Sequence, residues 1–263
     1  MSLVFSAIVP HPPLLIPNIG KDEIEKIQKT KDSLLQLEQD LYIAKPQLII
    51  IISPHGSVFS DAFSVNAHTN FYSDFAEFGD LNTKREWEGS PILGANISHK
   101  ANPTDLPVRL ISEDKLDHGS TVPLFLLTEH LQNIKILPVG YSNLPKRKHI
   151  EFGEFLKDII METDKRVAVI ASGDLSHALK TDAPGGFHKD SEMFDKTLIE
   201  LLEANNVPGI LQIDEDIVKN SQECAYRSLL IMLGIIKNMK FTFKNYSYEA
   251  PFGVGYLVGN FVF

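Results

Sequence analysis

The sequence has a single cysteine, Cys224, which excludes an intramolecular disulfide and every cysteine-rich zinc module. That usage predicts a reducing, cytoplasmic setting. No apolar stretch approaches the roughly 20 residues that a bilayer span requires. The apolar N-terminus lacks a basic leader and is broken by prolines, so it is expected to be a first strand and not a signal peptide. There is no long Lys/Arg cluster, and the net charge is -9. Both facts argue against a nucleic-acid backbone or an anionic membrane surface as partner, leaving small molecules or proteins. Internal repeats and low-complexity tracts are also absent.

What remains is a globular composition, 43% hydrophobic over 263 residues, sufficient for a sizeable core. Apolar runs of strand length lie at Val4 to Val9, Leu48 to Ile52, Ile134 to Val139 and Val167 to Ala171. They are rich in Ile and Val and do not alternate, as in strands buried on both faces. Helical patterns lie between and after them, at Asp22 to Tyr42, Val122 to Leu131, Ile150 to Met161, Ser191 to Ala204 and Gln222 to Asn238. This alternation predicts an α/β fold with a largely parallel or mixed central sheet flanked by helices. The closing "YSYEAPFGVGYLVGNFVF" is expected to add antiparallel strands at one edge. Asn70 to Pro107 is polar and turn-rich, and is expected to be an elaborated loop region.

Nine histidines are the metal-capable residues, and three follow strand-like runs. "AIVPH" ends on His11, "IIIISPH" on His55, and "VAVIASGDLSH" passes Gly173-Asp174 to reach His177. Proline on both sides restricts His11, an expensive way to build an ordinary turn. A single histidine in a turn commonly just bonds backbone carbonyls. Three at the carboxyl ends of strands, where open α/β sheets bind ligands, predict a metal or acid–base centre. His68, His99, His130 and His149 lack this placement and are expected to be solvated or packed; His188 follows a Gly-Gly loop and is ambiguous.

Two histidines with one carboxylate suit non-haem Fe(II) oxygen chemistry. The best-placed acid is Glu223, expected in the first turn of an apolar helix, where the helix dipole favours its ionised form. Asn220 to Glu223 equally has the spacing of a capping box, so spacing alone leaves both roles open.

Together, "AIVPHPPLLIP", "IIISPHG", "LDHGSTVPL", "SGDLSH", "QECAYRSLLIMLG" and "APFGVGYLV" resemble the LigB superfamily, the class III extradiol ring-cleavage dioxygenases with their Memo-like relatives. The resemblance runs from His11 to the final strand and implies a single LigB-like domain over residues 1–263. It implies Fe(II) held by His11, His55 and Glu223, with zinc as a metal that purified protein can take up. Memo-like relatives carry a cysteine at this helix start, which points to Cys224 as an alternative, and His188 stays open as another third ligand. It further implies His177 as acid–base residue, His118 as a second active-site histidine and Asp174 as the residue orienting a neighbouring histidine. The implied substrates are a catechol-type compound and O2, and the implied assembly is a homodimer. His118 also stands just before a helix start, with Ser120 or Thr121 as cap. Arg85, Lys84 or Arg109 are candidates for reading a substrate carboxylate. Two rivals keep the fold: a Memo-like metal-binding protein without dioxygenase activity, and a zinc hydrolase.

Overall fold

The computed structural model describes residues 2–263. In chain order the elements begin with β1 (Leu3–Val9), α1 (Pro17–Gly20), α2 (Gln28–Ala44), β2 (Leu48–Ser53), β3 (Phe63–Asn66), β4 (Asn70–Phe75), β5 (Asp80–Gly89) and α3 (Pro91–Ala101). They continue with β6 (Val108–Ile111), α4 (His118–Leu127), β7 (Lys135–Gly140), α5 (Lys146–Glu162), β8 (Val167–Ser172) and α6 (Asp190–Glu203). The last are α7 (Val207–Leu211), α8 (Glu215–Ser221), α9 (Tyr226–Ile235), β9 (Thr242–Glu249) and β10 (Tyr256–Val262).

The four Ile/Val-rich runs become the parallel centre of a ten-stranded mixed sheet, with β7, β2, β8 and β1 side by side. Every residue of β2 and β8 is buried, which is why their sequences do not alternate. β10 and β9 close one edge antiparallel, as the C-terminal pattern predicts. At the other side the antiparallel β4–β5 hairpin joins β7 through Glu88 and Gly89, and β3, which carries β6, pairs β7 antiparallel.

Apolar side chains fill two layers. One lies between the sheet and α5, α6 and α9, including Phe152, Leu156, Phe194 and Leu229; the other lies against α2 and α4, including Leu34, Leu37, Leu41 and Val122. Each fully buried Leu or Phe contributes about 1.5–3 kcal/mol relative to exposure. α5 and α9 cross where two glycines meet: a Cβ on Gly234 would stand 2.8 Å from the Gly153 Cα.

Two local expectations need correction. The segment from Asn70 to Pro107 is not a loop region but a hairpin followed by α3. Its strands lie at the sheet's margin, and the polar, partly exposed face of β5 hides the strand pattern. The helix expected from Gln222 starts at Tyr226, so Glu223 and Cys224 precede its first turn. There the N–H groups of Cys224 and Ala225 both donate to the Asp174 carbonyl (3.1 Å each), a contact made by a distant loop. No helix among the described residues is long and apolar enough to cross a membrane.

Candidate metal centre

His11 follows β1 and is 2% exposed. Its N–H donates to Asp174 Oδ1 (2.9 Å), and its Nδ1 lies 2.8 Å from Ser172 Oγ at the end of β8. The Ser172 hydroxyl donates its one proton to the Gly119 carbonyl. Ser172 can therefore only accept from His11, which fixes the proton on Nδ1 and leaves Nε2 as a bare lone pair. That lone pair points at His55 Nε2, 3.1 Å away.

His55 follows β2 by two residues, and its N–H donates to Ser53 Oγ (3.2 Å). Ser53 donates in turn to Asp117 Oδ1. Asp117 is the N-cap of α4, accepting the Ser120 N–H (3.0 Å) and the Ser120 hydroxyl (2.9 Å). His118 is thus the first helical residue, and the cap is Asp117, where Ser120 or Thr121 was expected. The His118 ring stacks on His55 at 4.3 Å between centroids and stands edge-on to His11 at 5.4 Å. Gly119 makes room for this stack, since a Cβ there would lie 2.6 Å from Ser53 Oγ and 3.1 Å from His55 Cδ2.

One nitrogen from each of His11, His55 and His118 lies within 4.8 Å of the others. Loss of water lowers the pKa of all three, most strongly for the buried His11, where the neighbouring His55 and His118 add to the effect. Three neutral imidazoles turned inward, one of them with a fixed bare nitrogen, make a donor set that fits a borderline divalent cation. The residues present therefore suit a metal ion.

Asp174 and Cys224 close the opposite side. Burial raises the Asp174 pKa, and His177 opposes that rise. Cys224 Sγ lies 3.7 Å from His11 Nε2 and accepts the Asp174 N–H (3.2 Å); burial, then the Asp174 charge, pushes its thiol well up. His177 Nε2 stands 3.9 Å from Asp174 Oδ2, and its Nδ1 is buried without a partner. Glu223 lies outside the nitrogen cluster. Its carboxylate accepts the Tyr226 N–H at the start of α9, and burial raises its pKa to about 7. His188 is also outside, its Nδ1 accepting the Asp190 N–H (3.2 Å). Of the residues singled out from the sequence, the structure gathers His11, His55 and His118 at one point, with Asp174, His177 and Cys224 beside them.

A cavity of about 540 Å³ opens from His55 and His118, walled by Asn66, Glu77, Glu113 and Lys115. Lys115 is tied to Asp74 (3.1 Å). Arg85 donates to the Phe125 and Thr128 carbonyls and Arg109 pairs with Asp61, so neither arginine faces this cavity. Sequence reasoning passed over Ser53, Asp117 and Ser172. Asp117 alone carried a visible signal, an N-cap residue directly before a histidine.

A family model for the catalytic LigB subunit of aromatic ring-opening dioxygenase matches residues 6–259. Protein CA_C1420 of Clostridium acetobutylicum is 34% identical over 97% of this chain and 57% of its own length. A 2,3-dihydroxyphenylpropionate/2,3-dihydroxicinnamic acid 1,2-dioxygenase of Photorhabdus laumondii is 27% identical over 64% of this chain and 54% of its own. The chain thus spans little more than half the length of these two relatives. A MEMO1 family protein of Methanosarcina mazei is 29% identical over 81% of this chain and 82% of its own. Among solved structures, an uncharacterized protein from Escherichia coli K12 shares the fold, with a TM-score of 0.66 at 19% identity over 99% of this chain and 100% of that one.

Proposed function

Because the chain belongs to the LigB family, we propose that it holds Fe(II) at His11, His55 and His118 and opens the ring of a catechol-type substrate with O2, beside the two hydroxyls. The supporting observation is the convergence of three neutral imidazoles at the mouth of a cavity large enough for a substituted ring. Fe(II) bound there supplies Lewis acidity toward a chelating diol and one-electron chemistry toward dioxygen. The remaining work falls to the chain. Ser172 keeps the His11 lone pair turned inward, and the Ser53–Asp117 pair sets His55 against His118. His177 is the proton carrier in this reading, because its Nε2 faces Asp174 beside the imidazole cluster, while its Nδ1 is buried. Asp174 holds the His11 backbone through one oxygen and turns the other toward the His177 ring without bonding it.

The test is anaerobic reconstitution with Fe(II), followed by oxygen uptake with a panel of catechols. Turnover by the native chain, lost in His177→Gln at unchanged iron content, is the expected result. Stoichiometric iron with no uptake on any catechol would overturn the reading.

A second reading rests on Cys224, whose sulfur lies beside His11 Nε2, and on the longer reach of the MEMO1 family match. In it the site binds metal without cleaving rings. The same uptake experiment separates the two.

A further inference from the structure

The His177 ring has no hydrogen bond of its own: Nδ1 is unpartnered, and Nε2 is 3.9 Å from Asp174, beyond hydrogen-bonding reach. Its position is therefore set by the backbone that carries it. That backbone is clamped from several sides. The Leu175 N–H donates to the Gly255 carbonyl (2.8 Å), the Gly255 N–H donates to the Ser176 carbonyl (2.8 Å), and the Leu179 N–H donates to the Gly253 carbonyl (3.1 Å). The His177 N–H itself donates to the Ser221 carbonyl (2.9 Å).

Beneath this loop lies Asp195 of α6, 1% exposed and without an ion pair among the described residues. Its Oδ1 accepts the Ser176 N–H (2.9 Å) and the Ser176 hydroxyl (2.6 Å), and its Oδ2 accepts the Tyr248 hydroxyl (2.6 Å) from β9. Gly255 lets the turn settle onto this carboxylate, since a Cβ there would stand 2.3 Å from Asp195 Oδ2. Burying an acid without a cation is costly, and a core position would pack as well with an apolar side chain. Three donors aimed at it, two of them from the residue directly before His177, explain its presence.

We propose that Asp195 and Tyr248 are positioning residues for His177, fixing Ser176 and, through it, the place of the imidazole beside Asp174. The catalytic consequence rests on His177 being the proton carrier; the positional claim stands on the geometry alone.

Two conservative variants test it, Asp195→Asn and Tyr248→Phe, each as Zn(II)-loaded protein with 15N-labelled histidine. The His177 ring resonances, assigned by their loss in His177→Gln, are expected to shift or broaden in both. Those of His11, His55 and His118 stay in place, and Zn(II) affinity stays within about twofold. His177 signals that coincide with the native ones in both variants would overturn the proposal. So would movement of all four histidines together, or failure of both variants to fold, since either makes the cluster a general part of the core. In oxygen uptake the variants are expected to lose about 10- to 100-fold in kcat with KM little changed, the scale of a small misplacement of a catalytic group. Should the native chain take up no oxygen, the functional reading fails while the ring spectra still decide this one.

Discussion

Cys224 Sγ stands 3.7 Å from His11 Nε2, while the carboxylate of its neighbour Glu223 is turned back onto the Tyr226 N–H. The residues just before α9 thus present sulfur, and not carboxylate, to the histidine cluster. Burial holds that thiol protonated, so the metal-free site offers three nitrogens and a neutral sulfur.

If His118 is the third donor, His118→Ala should weaken Zn(II) and Fe(II) binding by more than the about 10- to 100-fold typical of losing an outer partner. Cys224→Ser should weaken it less than about 10-fold. Chelator competition measures both. The reverse order, with the cysteine variant the weaker binder, would transfer the third position to sulfur.

Ser172 lies behind His11, on the side away from His55, and its hydroxyl dictates the His11 tautomer. Ser172→Ala removes the acceptor for the Nδ1 proton inside a closed site. The imidazole is then free to take the other tautomer, with its proton on Nε2. Metal affinity is expected to fall about 10- to 100-fold, with about 1–3 kcal/mol of stability lost through the unpaired Gly119 carbonyl. Unchanged affinity would mean that another group sets the tautomer.

Gly119 brings the start of α4 against the end of β2. Gly119→Ala places a methyl group 2.6 Å from Ser53 Oγ and 3.0 Å from Asp117 Oδ1, forcing apart the pair that carries His55. Overpacking of this kind costs about 1–3 kcal/mol. Urea denaturation should show that loss, together with weaker metal binding; an alanine variant as stable as the native chain would sink the prediction.

The ends of β1 and β2 are legible in the sequence because proline restricts backbone and side chain together, so an apolar run stopped by Pro-His declares both a strand end and its cargo. The sheet centre is legible because two-sided burial demands unbroken Ile and Val. The β4–β5 hairpin is not, because only part of β5 is buried and its contact with β7 is two residues long. Nor is the outward turn of Glu223, because the stretch before α9 is held by the Asp174 carbonyl, 49 residues earlier than Glu223, as well as by the carboxylate's own bond to the Tyr226 N–H. The resemblance singled out His118, but its place in the histidine cluster depends on the Asp117 cap and on the gap left by Gly119.

Glu223 gives a pH dependence of its own outside the cluster. Burial raises its carboxyl from 4.5 to about 7, so between those values the folded chain keeps a proton that the unfolded chain has released. Folding then takes up a proton. The associated stability is fully present below about 4.5, is lost as the pH climbs through 7, and stays lost above it. The full difference corresponds to about 3 kcal/mol, reduced toward about 1 kcal/mol by the water that reaches this half-buried side chain. Glutamine cannot ionise, and its Oε1 can still accept the Tyr226 N–H. Metal-free Glu223→Gln should therefore be more stable than the native chain at pH 8 and nearly equal to it at pH 4.5, as read by thermal melts. A variant less stable at pH 8 would show that the ionised carboxylate is favourable in its pocket. Metal titration of the same variant adds the decisive contrast, because a carboxylate serving as third donor would cost it metal affinity at pH 8, and one that only caps α9 would not.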